Sequence, residues 1–135
     1  MPKNAKDQRP NIFPALKYKD APAAMKWLGK AFGFRTHFSV PGEKGGIAHA
    51  ELQLGSGMIM LGSMRKRDPK NPWATEPGLY VHVENIDAHY ARSRKAGAEI
   101  VRELADTEYG SREYSVRDPE GHLWSFGTYL PGAEA

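Results

Sequence analysis

His49 and Glu51 stand two residues apart in Ile47-Ala-His-Ala-Glu-Leu-Gln-Leu54. The segment alternates as a strand does, so imidazole and carboxylate share one face with Gln53, opposite Ala48, Ala50, Leu52 and Leu54. Such a pair can orient a proton acceptor or contribute to a cation site, and it is equally an ordinary pair of polar groups satisfying each other. The pattern recurs later in the chain. Tyr80 and His82 alternate with Leu79, Val81 and Val83, Glu113 and Ser115 alternate with Tyr114 and Val116, and Ser125 lies between Trp124 and Phe126. Five histidines are present, His37, His49, His82, His89 and His122. There is no cysteine, hence no thiolate nucleophile and no disulfide. No nucleophile elbow, phosphate loop or dinucleotide motif occurs. The chemistry open to this chain is therefore acid–base work, metal ligation or plain binding on the polar faces of strands.

The elements that must carry those faces can be read in order. A chain of 135 residues, 40% hydrophobic and 26% charged, suits one domain with a real core. No apolar run approaches membrane-spanning length, and Met1–Pro10 lacks the apolar centre of a signal peptide, which predicts a cytoplasmic protein. The net charge of +3 is scattered except in Met64-Arg-Lys-Arg-Asp-Pro-Lys70, a charged loop rather than a basic stripe, so no nucleic-acid partner is expected. After a tail over 1–10 comes a strand over 11–19. Asp20 then caps a helix with Pro22 in its first turn, an apolar stripe of Ala24, Met25, Leu28, Ala31 and Phe32, and Gly33 at its end. Strands follow over 35–40, 47–54 and 58–62. A Pro- and Lys/Arg-rich connector, 63–77, carries Trp73. The order then repeats: a strand over 78–83, a helix over 86–96 capped by Asn85, a strand over 98–103, and a hairpin over 111–129 turning at Asp118-Pro-Glu-Gly121. Gly33 and Gly97 stand 64 positions apart, as do Gly57 and Gly121. This predicts an α+β fold of two tandem βαβββ modules, 11–62 and 78–129, with a C-terminal tail over 130–135.

Several stretches carry a family resemblance. These are Pro14-Ala-Leu-Lys-Tyr-Lys-Asp-Ala21 with Ala31-Phe-Gly-Phe34, Ile47-Ala-His-Ala-Glu-Leu52, Gly57-Met-Ile-Met-Leu-Gly62 and Asp118-Pro-Glu-Gly-His-Leu-Trp-Ser-Phe126. In order and over nearly the whole chain they resemble the vicinal oxygen chelate superfamily of glyoxalase I, bleomycin resistance proteins and extradiol dioxygenases, in its PhnB-like branch. The resemblance implies that each module is a curved mixed sheet with its helix on the convex face, and that paired modules enclose a cavity. Phe13, His49, Glu51, Ile59, Leu61, Tyr80, His82, Glu113 and Ser125 are then the candidate cavity residues. Trp73 is a lid candidate or a surface anchor. Family enzymes hold a divalent metal at four strand positions, matched here by Phe13, Leu61, Gly78 and Ser125. Only the serine is even a weak ligand, so no cofactor is expected. A relocated metal site of His49, Glu51 and His82 is the alternative. The resemblance further implies a homodimer that binds a small hydrophobic or aromatic molecule, or else a lyase, isomerase or dioxygenase with a displaced metal. On these faces, Trp124→Ala should destabilise the fold and Ser125→Ala should be nearly neutral.

Overall fold

The computed structural model describes residues 10–132. The expected N-terminal tail lies outside the described residues except for Pro10, and so does the end of the expected C-terminal tail, 133–135. The elements are β1 (Ile12–Tyr18), α1 (Ala21–Phe32), β2 (Arg35–Pro41), β3 (Ile47–Leu54), β4 (Gly57–Ser63), β5 (Gly78–His82), α2 (Ile86–Lys95), β6 (Glu99–Asp106), β7 (Arg112–Arg117) and β8 (Leu123–Gly127). The fold is α+β. All eight strands form one mixed sheet in the order β2-β3-β4-β1-β5-β8-β7-β6. Only β1 with β4 and β5 with β8 run parallel, and the antiparallel pair β1–β5 is the seam joining the two halves of the chain. Among the described residues no helix is long and apolar enough to cross a membrane.

Local chemistry explains both helices. The Asp20 carboxylate accepts from Ala23 N at 3.1 Å, and Gly33, at φ +83°, turns the chain out of α1. Such a cap contributes about 1 kcal/mol. Asn85 does the same for α2, accepting from Ala88 N at 3.3 Å. From α1, Ala21, Met25 and Leu28 pack on Ala50, Leu52, Leu61 and Ile59. Phe32 does not join that stripe. It is exposed and meets Trp27 edge to face at 4.8 Å. From α2, Ile86 and Tyr90 pack on Tyr114, Val116, Trp124 and Phe126. Strand pairing puts both clusters on the same side of the sheet, because Leu16 pairs with Leu61 across β1–β4 while Pro14 pairs with Leu79, and Leu79 with Trp124, toward the second half. The other side is the polar one.

The offset is 64 between β2–β3 and β6–β7 but 65 before them, as at the caps Asp20 and Asn85, and 65 again in the last strand of each half. Ala50 pairs with Leu61, but its counterpart Tyr114 pairs with Phe126, 65 beyond Leu61. The cause is the turn. β3 and β4 are joined by Gly55-Ser56, with Gly55 at φ +59°, whereas β7 and β8 are joined by 118–122, with Gly121 at φ +91°. The longer link moves β8 on by one residue, so the counterpart of Ser125 is Met60 and not Leu61.

Candidate functional site

Alternation and register assign the polar face residue by residue. Phe13, Ala15 and Lys17 of β1 share it with Met58, Met60 and Gly62 of β4 and with Glu51 and Gln53 of β3. Across the seam it continues through Gly78, Tyr80 and His82 to Leu123, Ser125 and Gly127, and then to Glu113, Ser115 and Arg117. Among the expected cavity residues, Phe13, His49, Glu51, Tyr80, His82, Glu113 and Ser125 are on this face. Ile59 and Leu61 are not. They pair with Leu52 and Ala50 and pack under α1, a correction that follows from the one-residue slip. Alternation could not expose the error, since Met58, Ile59, Met60 and Leu61 are all apolar.

In the first half the face is built around Glu51, which is only 1% exposed. His49 Nε2 donates to its Oε2 at 2.8 Å, the Tyr129 hydroxyl donates to the same oxygen, and Gly132 N donates to Oε1 at 3.0 Å. Burial by itself would raise the Glu51 carboxyl, but these donors outweigh it and hold the group below the ordinary value of 4.5. The same burial and the adjacent carboxylate push the Tyr129 hydroxyl well up, so it stays a donor. Tyr129 and Gly132 come from the segment after β8, which crosses the seam: the Tyr80 hydroxyl donates to Tyr129 O at 2.5 Å and His82 Nδ1 approaches the same oxygen at 3.3 Å. Gly127 makes that crossing possible, because a Cβ there would sit 2.7 Å from both the Tyr80 hydroxyl and Glu113 Cγ. Burial, with the Glu113 charge next, raises the Tyr80 hydroxyl far above its usual value.

The second half holds a different network. Arg102 donates to Glu113 at 3.0 Å and to Ser115 Oγ at 3.1 Å, Tyr109 donates to Glu113 at 2.8 Å, and Ser115 Oγ lies 2.6 Å from Ser125 Oγ. Trp73, in a short 3₁₀ turn over Pro72–Ala74, donates its indole N–H to Ser125 Oγ. Its ring lies over Gly78, with Cη2 3.2 Å from the place a Cβ would take. Trp73 thus covers Gly78 and Ser125 in the second half of the face. Ser125 is buried between two partners, which corrects the expectation of a neutral substitution. Ser125→Ala should cost about 1 kcal/mol by orphaning Trp73 and Ser115. Trp124→Ala should cost about 2 kcal/mol or more, since its partly buried ring stacks on Phe126 and its indole N–H bonds Asp118 at 3.1 Å. Thermal melts of the two variants check both figures.

Open space remains over the first half. A cleft of about 360 Å³ is lined by Phe13, Met58, Gln53, His37 and the segment Leu130–Gly132. Its floor includes one expected residue, Phe13. Met58 and His37 were missed, and so was the stretch 128–132, read as hairpin end and tail. Alternation already puts Gln53 on the face of His49 and Glu51, and the cleft uses it. Nothing periodic marks a segment that follows the last strand.

The face offers a metal little. Phe13, Met60, Gly78 and Ser125 present a ring, a thioether, no side chain and a hydroxyl already bonded twice. The relocated trio does not converge either. His49 meets Glu51, but His82 turns to Tyr129 O, and among the described residues no three His, Cys, Asp or Glu are grouped to hold a metal ion.

Comparison with known proteins adds a lineage. The family model described as "Glyoxalase/Bleomycin resistance protein/Dioxygenase superfamily" matches residues 14–126. An uncharacterized protein of Mycobacterium bovis is 32% identical over 125 residues, covering 87% of this chain and 82% of its own. Two solved structures are similar in fold. A superfamily member from Vibrio splendidus is 21% identical over 86% of this chain and 96% of its own, with a TM-score of 0.67. A methylmalonyl-CoA epimerase from Mycobacterium tuberculosis is 20% identical over 90% and 89%, also with a TM-score of 0.67.

Proposed function

Because the chain belongs to the glyoxalase/bleomycin resistance protein/dioxygenase superfamily, we propose that it is a metal-free binding member that takes a small hydrophobic or aromatic molecule. The observation that carries this reading is the cleft of about 360 Å³, apolar through Phe13, Met58, Leu130 and Pro131 and polar only at a few points such as His37 and Gln53. That mixture is the usual make-up of a ligand pocket, in which apolar area supplies affinity and a few polar groups set orientation. Glu51 supports the pocket from behind. By holding Gly132, it fixes the wall that Leu130–Gly132 present to the ligand. In this reading each βαβββ half is one module, sequestration of the bound molecule is the biological act, and the setting is cytoplasmic with neither nucleic acid nor membrane involved.

The test is binding of a neutral aromatic fluorophore, N-phenyl-1-naphthylamine. Saturable enhancement is expected with the wild-type chain, and a loss of at least tenfold in affinity with Met58→Trp, whose larger ring fills the cleft. Equal binding by both proteins sinks the reading. The rival is a lyase, isomerase or dioxygenase with a displaced metal, favoured by the His49–Glu51 contact at 2.8 Å. Elemental analysis of protein purified without chelators separates the two, because a stoichiometric divalent metal lost on His49→Ala selects the enzyme.

A homodimer belongs to the same proposal. On the helix side, Ile12 and Leu54 are about half exposed and border an apolar groove with Pro14, Phe34 and Ile59. Sedimentation of the purified chain reads the assembly, and a monomer at all concentrations removes this part.

A further inference from the structure

Charged side chains withdrawn from solvent on this sheet are paired, with one exception. Glu51, Glu113, Arg102 and Arg117 all have partners of opposite charge or strong donors. Lys17 is half-buried on the polar face, and no acceptor or carboxylate of the described residues pairs with it. It stands at the end of β1 opposite Gly62, and its Nζ lies 3.4 Å from where a Cβ on Gly62 would be. The missing side chain leaves the ammonium room to lie over β4. The charged neighbour that acts on it is another cation, Arg65. The connector holds that residue in place: Met64 N bonds Tyr18 O at 2.9 Å and Arg65 N bonds Ala74 O at 2.9 Å. Glu76, the acidic residue at the end of the same connector, is taken by Arg117 at 2.8 and 3.1 Å. Two cations of like sign thus stand near the end of β1, and Glu76 is committed to Arg117.

We propose that Lys17 and Arg65 form an oxyanion-binding subsite on the polar face of the sheet, taking the carboxylate or phosphate group of a small molecule. A half-buried cation without a partner costs free energy that an arriving anion recovers by charge-assisted hydrogen bonds. Burial, with Arg65 second, lowers the Lys17 ammonium to about 8, so it is still charged at neutral pH and able to donate. The subsite lies four residues along β1 from Phe13, about 13 Å. It rests on the ligand-binding reading only for the idea that one molecule could span cleft and subsite, and not for the anion site itself.

Amide chemical shifts followed during titration with inorganic phosphate, and separately with acetate, test it at fixed ionic strength and pH 7. The expected result is a saturable shift centred on Lys17, Gly62 and Arg65. It should weaken at least tenfold in Lys17→Met, persist in Lys17→Arg, and be unchanged in the control Lys19→Met, an exposed neighbour. Stronger response to phosphate or to acetate tells which oxyanion the geometry suits. Shifts that spread over the basic run 64–70 and survive Lys17→Met overturn the proposal, as does the absence of any shift. N-phenyl-1-naphthylamine binding by Lys17→Met is read alongside. If it is retained while phosphate binding is absent in the wild type, the subsite fails and the cleft stands.

Discussion

Replacing Glu51 by leucine lowers stability by about 3 kcal/mol or more, the largest effect expected of any polar substitution on the sheet. The cost has two parts. Tyr129, His49 and Gly132 lose an acceptor they reach inside the protein, and the segment 128–132 loses the anchor that ties β8 to the far half of the sheet. Glu51→Gln keeps the shape and one acceptor oxygen and should cost about half as much. Urea unfolding of the three proteins checks the order. The pH dependence has a defined sign. The folded pKa of Glu51 is depressed, so its contribution is fully present above the unfolded value of 4.5 and is lost as pH falls through the folded one. Acid unfolding of Glu51→Leu should therefore be less steep than that of the wild type below about pH 4.5. Equal slopes would mean that the folded pKa of Glu51 is not depressed.

Tyr114→Ala costs about 3–5 kcal/mol, because the ring is fully buried and stacks on Phe126 at a centroid distance of 5.2 Å. Tyr114→Phe removes only the hydroxyl, which lies 2.5 Å from His89 Nδ1 and 2.6 Å from Ser93 Oγ, and should cost about 1 kcal/mol. Burial, with Arg92 second, lowers the His89 pKa below 6.5. Between that depressed value and 6.5 the unfolded chain binds a proton that the native one does not, so stability rises with pH across this window. Thermal melts of His89→Gln should show a flatter profile there. An unchanged profile would place His89 outside the titrating set.

Some of this was legible before the fold was seen. Asp20, Pro22 and Gly33 mark the ends of α1 by local chemistry alone, and the structure places them there. The inward apolar rows Ala50–Leu52 and Tyr114–Val116 alternate with polar neighbours, so their faces could be assigned correctly. β4 has no such contrast, and there the assignment of Ile59 and Leu61 failed. The site was legible in part. Glu51 and His49 share a face as strand geometry requires, but nothing local predicts that the carboxylate's other partners come from residues 129 and 132.

What the sequence by itself determined is what short-range rules govern: the caps, the strand faces with polar–apolar contrast, and the repeated element order. Only the tertiary structure decided the rest. The β7–β8 link set the true register of Ser125 against Met60, Trp73 came to lie over Gly78 and Ser125, and the chain end closed on Glu51. Each depends on contacts between residues up to 81 positions apart. Such contacts form because one buried oxygen must find donors wherever the folded chain brings them, and no local pattern specifies which.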